Sequence, residues 1–391
     1  MTYDVIIAGG SFGGLAVAGE LNGKVLLIDK DDIGTHQTSA CATLVDSLRK
    51  LGCEDSILQT FDSIYINVLG KDIVLKFDYY FCTFDYQKFC QIMLKSGETE
   101  VIKAEVKGVK DNYVITDKDE FEGRILVDAT GWRATLANSL RTQISADKKQ
   151  HRFPQINSTV LKIGANQRLY QRQSASKKRL SFGLETIHPY PNDKLMFYWN
   201  PKILRKGVTW IFPAATETRF GIGSYTGETK LKRKLEEFLS DYKLQIHSLH
   251  GGYLPHKLGE PTAGHIFLVG DSAGQCLPLT GEGIRPALYF GQRCGRLIQK
   301  IIGKSISLEE GFTEYRSFVL KHASEYALLF RLQKFFTNIP DFLTVPILKF
   351  LKTEKIFPPV AERYRKAAVL EDRLEMVRTD RMDLAERGQS V

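Results

Sequence analysis

Two stretches of this chain set glycines and acids where a phosphorylated, hydroxyl-rich ligand could be held. Near the start, Asp4-Val5-Ile6-Ile7-Ala8-Gly9-Gly10-Ser11-Phe12-Gly13-Gly14 runs from an apolar strand into a glycine-rich turn and an apolar helix. Lys24-Val25-Leu26-Leu27-Ile28-Asp29 follows as a second apolar strand ending in a carboxylate. Strand, turn, helix, strand and acid in this order form the βαβ arrangement that binds a dinucleotide. Gly10 lets the backbone approach a pyrophosphate, and Gly13 lets the helix pack closely on the strand. Asp29 is placed to accept hydrogen bonds from a ribose hydroxyl. The first position of the G-x-G-x-x-G spacing holds Ala8, which must therefore keep a negative φ.

The second stretch selects among dinucleotides. Val269-Gly270-Asp271-Ser272-Ala273-Gly274 is followed by Leu277-Pro278-Leu279-Thr280-Gly281-Glu282-Gly283-Ile284. A strand ending in Gly-Asp puts a carboxylate where a polyol chain can be hydrogen-bonded. The Gly281-Glu282-Gly283-Ile284 turn opens a long helix whose N-terminal amides stabilise negative charge. A reduced flavin has that requirement, because its anion concentrates charge at N1 and O2. The expected cofactor is therefore FAD, and no metal is expected.

Farther along, Trp210-Ile211-Phe212-Pro213 is followed by seven residues and then Gly221-Ile222-Gly223. Together with the first fingerprint, Gly270-Asp271 and Gly281 to Ile284, this pattern resembles the geranylgeranyl reductases, FAD-dependent oxidoreductases of the p-hydroxybenzoate hydroxylase fold. The resemblance spans residues 1 to about 300. It implies that Gly10, Ser11, Phe12 and Gly13 hold the pyrophosphate, and that Asp29 binds the adenosine ribose with Lys30 as a neighbouring cofactor residue. Val106 and Ala129 would lie near the adenine, Asp271 at the ribityl chain, and Gly281, Glu282, Gly283 and Ile284 against the isoalloxazine, with Gly270 and Pro278 as further cofactor-binding residues. Tyr86 stands where the family has an arginine for the diphosphate, and Val208 replaces a tyrosine two residues before the tryptophan.

The implied reaction is reduction of C=C bonds in a prenyl lipid or prenyl pyrophosphate by hydride from the flavin, with a proton from elsewhere. Trp210 and Phe212 would line the substrate cavity; ordinary sheet packing is the competing account. Gly221 and Gly223 are read equally as functional or as close-packing glycines. Cys41, in the loop after the second strand, is a candidate proton donor or redox-sensitive gate, or else a buried structural thiol. A Cys41–Cys82 pair, a relay at His36, and roles for Tyr79 and Tyr80 are weaker readings. NAD(P)H or an acidic protein such as a ferredoxin is the implied electron donor. A competing function is an NAD(P)H-dependent flavin monooxygenase or halogenase acting on an aromatic or apolar small molecule. A third is a non-enzymatic electron carrier or sensor.

The elements that must position these residues follow from length and pattern. The chain has 391 residues, of which 43% are hydrophobic and 25% charged, enough for two or three domains of a globular protein. The expected class is α/β with α+β elements: a Rossmann-like FAD-binding domain carrying an inserted antiparallel-sheet substrate domain and a helical C-terminal region. The expected boundaries are 1–65, 84–150 and 255–305 for the first, 66–83 and 151–254 for the second, and 306–391 for the third. A helix is expected over 43–51, a hairpin turning at Gly70-Lys71, one strand over 100–109 and another over 158–163. No run approaches the length of a membrane span. The first strand begins at Thr2 or Tyr3, which points to a cytoplasmic protein without a leader. Six cysteines without C-x-x-C or zinc spacing are expected as free thiols. The net charge of +9 suits an anionic membrane surface, a phosphorylated substrate or an acidic partner; no nucleic-acid motif accompanies it. Residues 326–357, rich in Phe and Lys and interrupted by Pro340 and Pro346, are read either as packing helices or as a peripheral membrane contact.

Overall fold

The computed structural model describes residues 2–37, 39–95, 99–149 and 180–371. The described residues within 1–36, 97–181 and 253–334 form one compact unit, and those within 37–96, 182–252 and 335–391 a second.

The first unit is built on a parallel sheet. Its strands run in the order Ile266–Leu268, Glu120–Asp128, Thr2–Ala8, Val25–Asp29 and Thr99–Lys103, with the short Thr262–Ala263 antiparallel at one edge. A central parallel strand is covered on both faces and therefore reads as a continuous apolar run. Val5, Ile6, Ile7 and Ala8 are accordingly fully buried, as are Leu26, Leu27 and Ile28. The helix Phe12–Ala18 lies against the long helix Ile284–Ile302 at a glycine seam. A Cβ added at Gly291 would come within 2.8 Å of the Gly13 carbonyl oxygen. The hairpin Val106–Lys110 with Tyr113–Thr116 joins Glu120–Asp128 as a three-stranded antiparallel extension. The single strand expected over 100–109 is thus two. The chain leaves the parallel sheet where Ala104 N–H donates to the Asp29 carbonyl, and Glu105 N–H is taken by Asp117.

The second unit carries an eight-stranded, mainly antiparallel sheet, ordered His250–Pro255, Leu180–His188, Glu217–Ser224, Gly207–Ala214, Leu195–Trp199, Ile57–Val68, Lys71–Phe84 and Ala42–Leu44. One face packs Met196, Ile211, Phe220 and Ile222 against Leu235, Phe238 and Leu239 of the helix Lys232–Ser240. The opposite face gathers Phe61, Tyr79, Phe81, Leu195, Phe197, Trp210 and Phe212. This division follows from the two-residue alternation of a strand: Trp210 and Phe212 face one way, and Ile211 between them faces the other.

Several boundaries differ from the expected ones. Residues 37–65 and 84–96 go with the sheet unit, because Ala42–Leu44 and Ile57–Val68 are two of its strands. The backbone of residues 42–44 pairs with Phe81–Thr83, so the helix expected from 43 begins only at Val45. The described C-terminal helices do not form a third unit; residues up to 334 belong to the first and the described residues from 335 on to the second. Pro346 lies inside the helix Asp341–Leu351 rather than breaking it. A proline there deprives only the carbonyl of residue 342, which sits in the exposed first turn. The strand expected at 158–163 lies outside the described residues.

Candidate functional site

In the first unit, two glycines and an acid form a cradle at the ends of the parallel strands. Gly9 has φ +106°, and a Cβ there would lie 2.2 Å from the Ala129 carbonyl oxygen. Ala8 is not among the residues of positive φ, as its side chain requires. Gly10 donates its N–H to Asp29 Oδ2 at 2.7 Å, and Asp31 N–H donates to Oδ1 at 3.0 Å. Asp29 stays half-exposed at the strand end, with acceptor capacity left for a hydroxyl. A Cβ at Gly10 would lie 2.1 Å from Ile33 Cδ1, so that side-chain end would have to move aside. Gly13 packs on Val269, placing the two motifs side by side. Ser11 heads the helix without a side-chain cap, Phe12 is buried, and the Lys30 side chain is exposed beside Asp31. Val106 is half-buried at the start of its strand; Ala129 follows Asp128 and donates its N–H to the Ala8 carbonyl.

Asp128 ties this cradle to the second motif. Its Oδ1 accepts from Thr130 Oγ1 at 2.7 Å and from Ser272 Oγ at 3.1 Å, and its Oδ2 accepts from Ala137 N–H at 2.9 Å. Gly270 (φ +65°) turns the chain into a short 3₁₀ segment, Gly270–Ala273, that presents Asp271. The Asp271 carboxylate has no hydrogen-bond partner among the described residues, and it lies close to Gly283, where a Cβ would be 3.9 Å from Oδ1. Pro278, Leu279 (φ +68°) and Gly281 (φ +66°) shape the turn that leads into Ile284–Ile302, whose N terminus no side chain caps. Both Glu282 oxygens accept from the buried Arg285, at 2.8 and 2.9 Å. The Glu282 side chain is thereby held in place by Arg285. A glycine turn, a half-exposed acid at a strand end and an unpartnered carboxylate beside an uncapped helix fit FAD.

Burial pushes the Asp271 carboxyl up to about 7. The folded protein therefore keeps a proton that the unfolded chain releases near pH ~4. The stability linked to that proton is complete below the unfolded value and is lost as pH rises through about 7. In the flavin-free protein, Asp271→Asn is expected to flatten the fall of melting temperature between about pH 4 and 7. An unchanged slope in thermal-shift measurements across that range would count against an unpartnered, desolvated carboxyl.

In the second unit, Trp210 and Phe212 share the aromatic face, with ring centroids 6.2 Å apart. Phe212 meets Phe197 edge-on at 5.1 Å. The indole lies across glycines of neighbouring strands. A Cβ would approach it to 2.0 Å at Gly221, 3.2 Å at Gly223 and 3.5 Å at Gly183. Gly221 and Gly223 are thus close-packing positions that make a floor for Trp210. Trp210 Nε1–H donates to Glu185 Oε2 at 2.6 Å, and His250 Nε2 lies 3.0 Å from Glu185 Oε1.

Cys41 (φ +48°) is fully buried in the loop before Ala42–Leu44. Arg219, itself buried, donates to the Ala40 carbonyl at 2.8 Å, the Cys41 carbonyl at 3.4 Å and the Phe84 carbonyl at 3.1 Å, holding that loop. Burial pushes the Cys41 thiol up to about 12, opposed by the Arg219 charge and reinforced by Glu185. Burial thus favours the neutral thiol over the thiolate. Cys41 and Cys82 are free thiols, so the suggested pair is not formed. His36 is exposed, Tyr80 is exposed, and Tyr79 packs with its hydroxyl on the Ala361 carbonyl at 3.1 Å.

Gly9, Arg219, Glu185 and His250 escape sequence reasoning. Gly9 is adjacent to the absent first glycine and carries the positive φ that the fingerprint places elsewhere. Glu185 shows itself only as an acid inside an apolar strand, and Arg219 and His250 give no local signal.

The fold is that of the FAD-dependent oxidoreductases and hydroxylases. A solved geranylgeranyl bacteriochlorophyll reductase-like protein from Thermoplasma acidophilum superposes with TM-score 0.73 at 18% identity, covering 94% of this chain and 97% of that one. A flavin-dependent brominase superposes with TM-score 0.64 at 12% identity over 100% of both chains. In sequence, the chain is 26% identical over 340 residues to digeranylgeranylglycerophospholipid reductase of Methanococcus vannielii, covering 81% of this chain and 82% of that protein. No family model matches. In sequence and fold the chain is thus similar to geranylgeranyl reductases.

Proposed function

We propose that this protein reduces C=C bonds in the prenyl chains of an isoprenoid glycerolipid or prenyl diphosphate, with FAD as its cofactor. The observation that carries the reading is the Trp210–Phe212 aromatic face laid on a glycine floor, in a chain similar over four-fifths of its length to prenyl-lipid reductases. Gly9, Gly10, Asp29, Asp271 and the turn at 278–284 would hold FAD, which supplies hydride when reduced. Trp210, Phe212, Phe197 and Phe81 offer the apolar contacts a prenyl chain needs, and the protonated Cys41 thiol is the candidate proton source. The net charge of +9 supports recruitment of an anionic surface or of an acidic electron donor of the ferredoxin type; NAD(P)H is the competing donor.

The peripheral membrane contact rests on the helix Asp341–Leu351. Phe342 (74% exposed), Leu343, Pro346 and Phe350 (64% exposed) stand outward, followed by exposed Lys349, Lys352 and Lys355. An outward apolar stripe with lysines suits the interface of an anionic bilayer. Among the described residues no helix is long and apolar enough to cross a membrane.

One anaerobic experiment tests both. The flavin-loaded protein is reduced with dithionite and offered geranylgeranyl diphosphate in solution, or a geranylgeranyl glycerophospholipid in anionic vesicles. Return of the oxidised flavin band without oxygen, with products heavier by two hydrogens per bond, is expected. Flavin that stays reduced until oxygen enters would refute the reductase reading and favour a monooxygenase. The double variant Phe342→Ser, Phe350→Ser is expected to keep turnover of the soluble diphosphate and to bind vesicles at least about tenfold more weakly. Unchanged vesicle binding would remove the membrane proposal alone.

A further inference from the structure

Glu185 sits in the strand Leu180–His188 with its carboxylate almost wholly sheltered, at 4% side-chain exposure. A buried carboxylate is costly unless its oxygens are satisfied. Both are: Oε2 takes the Trp210 indole N–H at 2.6 Å and Oε1 meets His250 Nε2 at 3.0 Å. Trp210 and Glu185 are not on neighbouring strands. Glu217–Ser224 runs between theirs, and Gly221 is the register partner of Glu185 on one side and of Trp210 on the other. Two strand spacings are roughly 10 Å. The indole bridges that distance only by lying over position 221, where any side chain would fill its path. The missing Cβ at 221 and the acid at 185 are therefore two halves of one device, with Gly183 and Gly223 extending the floor under the ring.

We infer that Glu185 is a positioning residue of the substrate site: its carboxylate, braced by His250, locks Trp210 flat across the Gly183–Gly221–Gly223 floor and so fixes the apolar wall that a prenyl chain would meet. This rests on the functional reading of Trp210 given above. A charge-assisted bond from an indole N–H is stronger and better oriented than a neutral one. Without it the ring is free to tilt away from the glycines, and the wall loses its shape.

The test uses the full chain with FAD bound, in wild type, Glu185→Gln, Trp210→Phe and the double variant, with indole nitrogens labelled for NMR. The chain has three tryptophans, and the signal lost in Trp210→Phe identifies the one that matters. In Glu185→Gln that signal is expected to move upfield, and KM for geranylgeranyl diphosphate to rise about fivefold with kcat little changed. In the Trp210→Phe background the same substitution is expected to add nothing to KM, because its route runs through the indole. A Trp210 signal that stays in place, or KM effects that add independently, overturns the inference. Should Glu185→Gln fail to retain flavin, His250→Gln loosens the brace from the other oxygen and should move the same signal by less; no movement is again an overturning result. If wild type reduces no prenyl substrate while the Trp210 signal moves as expected, the clamp stands and the prenyl-reductase reading falls.

Discussion

Gly9→Ala is expected to purify largely without FAD and to melt at least about 5 °C below wild type. Two separate costs act at this position. Its φ of +106° is a conformation that an L-residue adopts only under strain. The added methyl would also lie 2.2 Å from the Ala129 carbonyl oxygen and 2.5 Å from its carbon, so backbone must move. The displaced segment directly follows Asp128, whose oxygens hold Thr130, Ser272 and Ala137 in register. A shift at Ala129 therefore spreads to the 3₁₀ turn that presents Asp271. Gly131→Ala separates the two costs: φ there is +79°, but nothing lies within 4 Å of the new methyl. That variant is expected to lose stability modestly and to keep its flavin. The ratio of flavin to protein absorbance, read beside a thermal-shift curve, decides the matter. A fully yellow Gly9→Ala protein would show that this turn is not part of the cofactor cradle.

Gly221→Ala is expected to lower kcat/KM for the prenyl substrate by at least about tenfold and to destabilise the sheet unit by roughly 1–3 kcal/mol. The new methyl would lie between 2.0 and 2.5 Å from three atoms of the Trp210 ring, and the ring cannot lift without losing its bond to Glu185. The cost should disappear when the ring is removed: the double variant with Trp210→Ala should melt where Trp210→Ala alone does. Position dictates the order of a small series. Gly223→Ala, at 3.2 Å from the ring, should be milder, and Gly252→Ala, with nothing within 4 Å, close to neutral. Equal losses at all three glycines would indicate general weakening of the strands instead of a specific collision with the indole.

How legible these features are in the sequence depends on how local their causes are. The cofactor cradle is legible because strand, turn, helix and strand are consecutive, although the atoms its glycines meet, at Ile33, Ala129 and Val269, are not. Even so, the glycine of positive φ is Gly9, one residue later than the motif's spacing places it. The residues 210–213 and 221–223 are visible as a pattern, but not what joins them. The purpose of Gly221 becomes apparent only when Trp210 is set opposite it in antiparallel register and Glu185 beyond it. The unit boundaries are hidden for a similar reason. Residues 42–44 read as the start of a helix because nothing local reports the partner strand at 81–83.

By itself the sequence determined the dinucleotide half of this protein: the buried parallel strands, the backbone-lined turn, the carboxylates at 29 and 271, and the uncapped helix at 284. Each of these depends on φ/ψ preference and on burial along a short stretch, both of which are properties of residue type. Only the tertiary structure decided the other half. Sheet register brings together residues from separate strands at no fixed spacing, so the Trp210–Glu185–His250 chain and the Arg219 hold on the Cys41 loop exist only after pairing has occurred. A strand's side-chain pattern says which face a residue takes, and its partners are chosen by the strands that come to lie beside it.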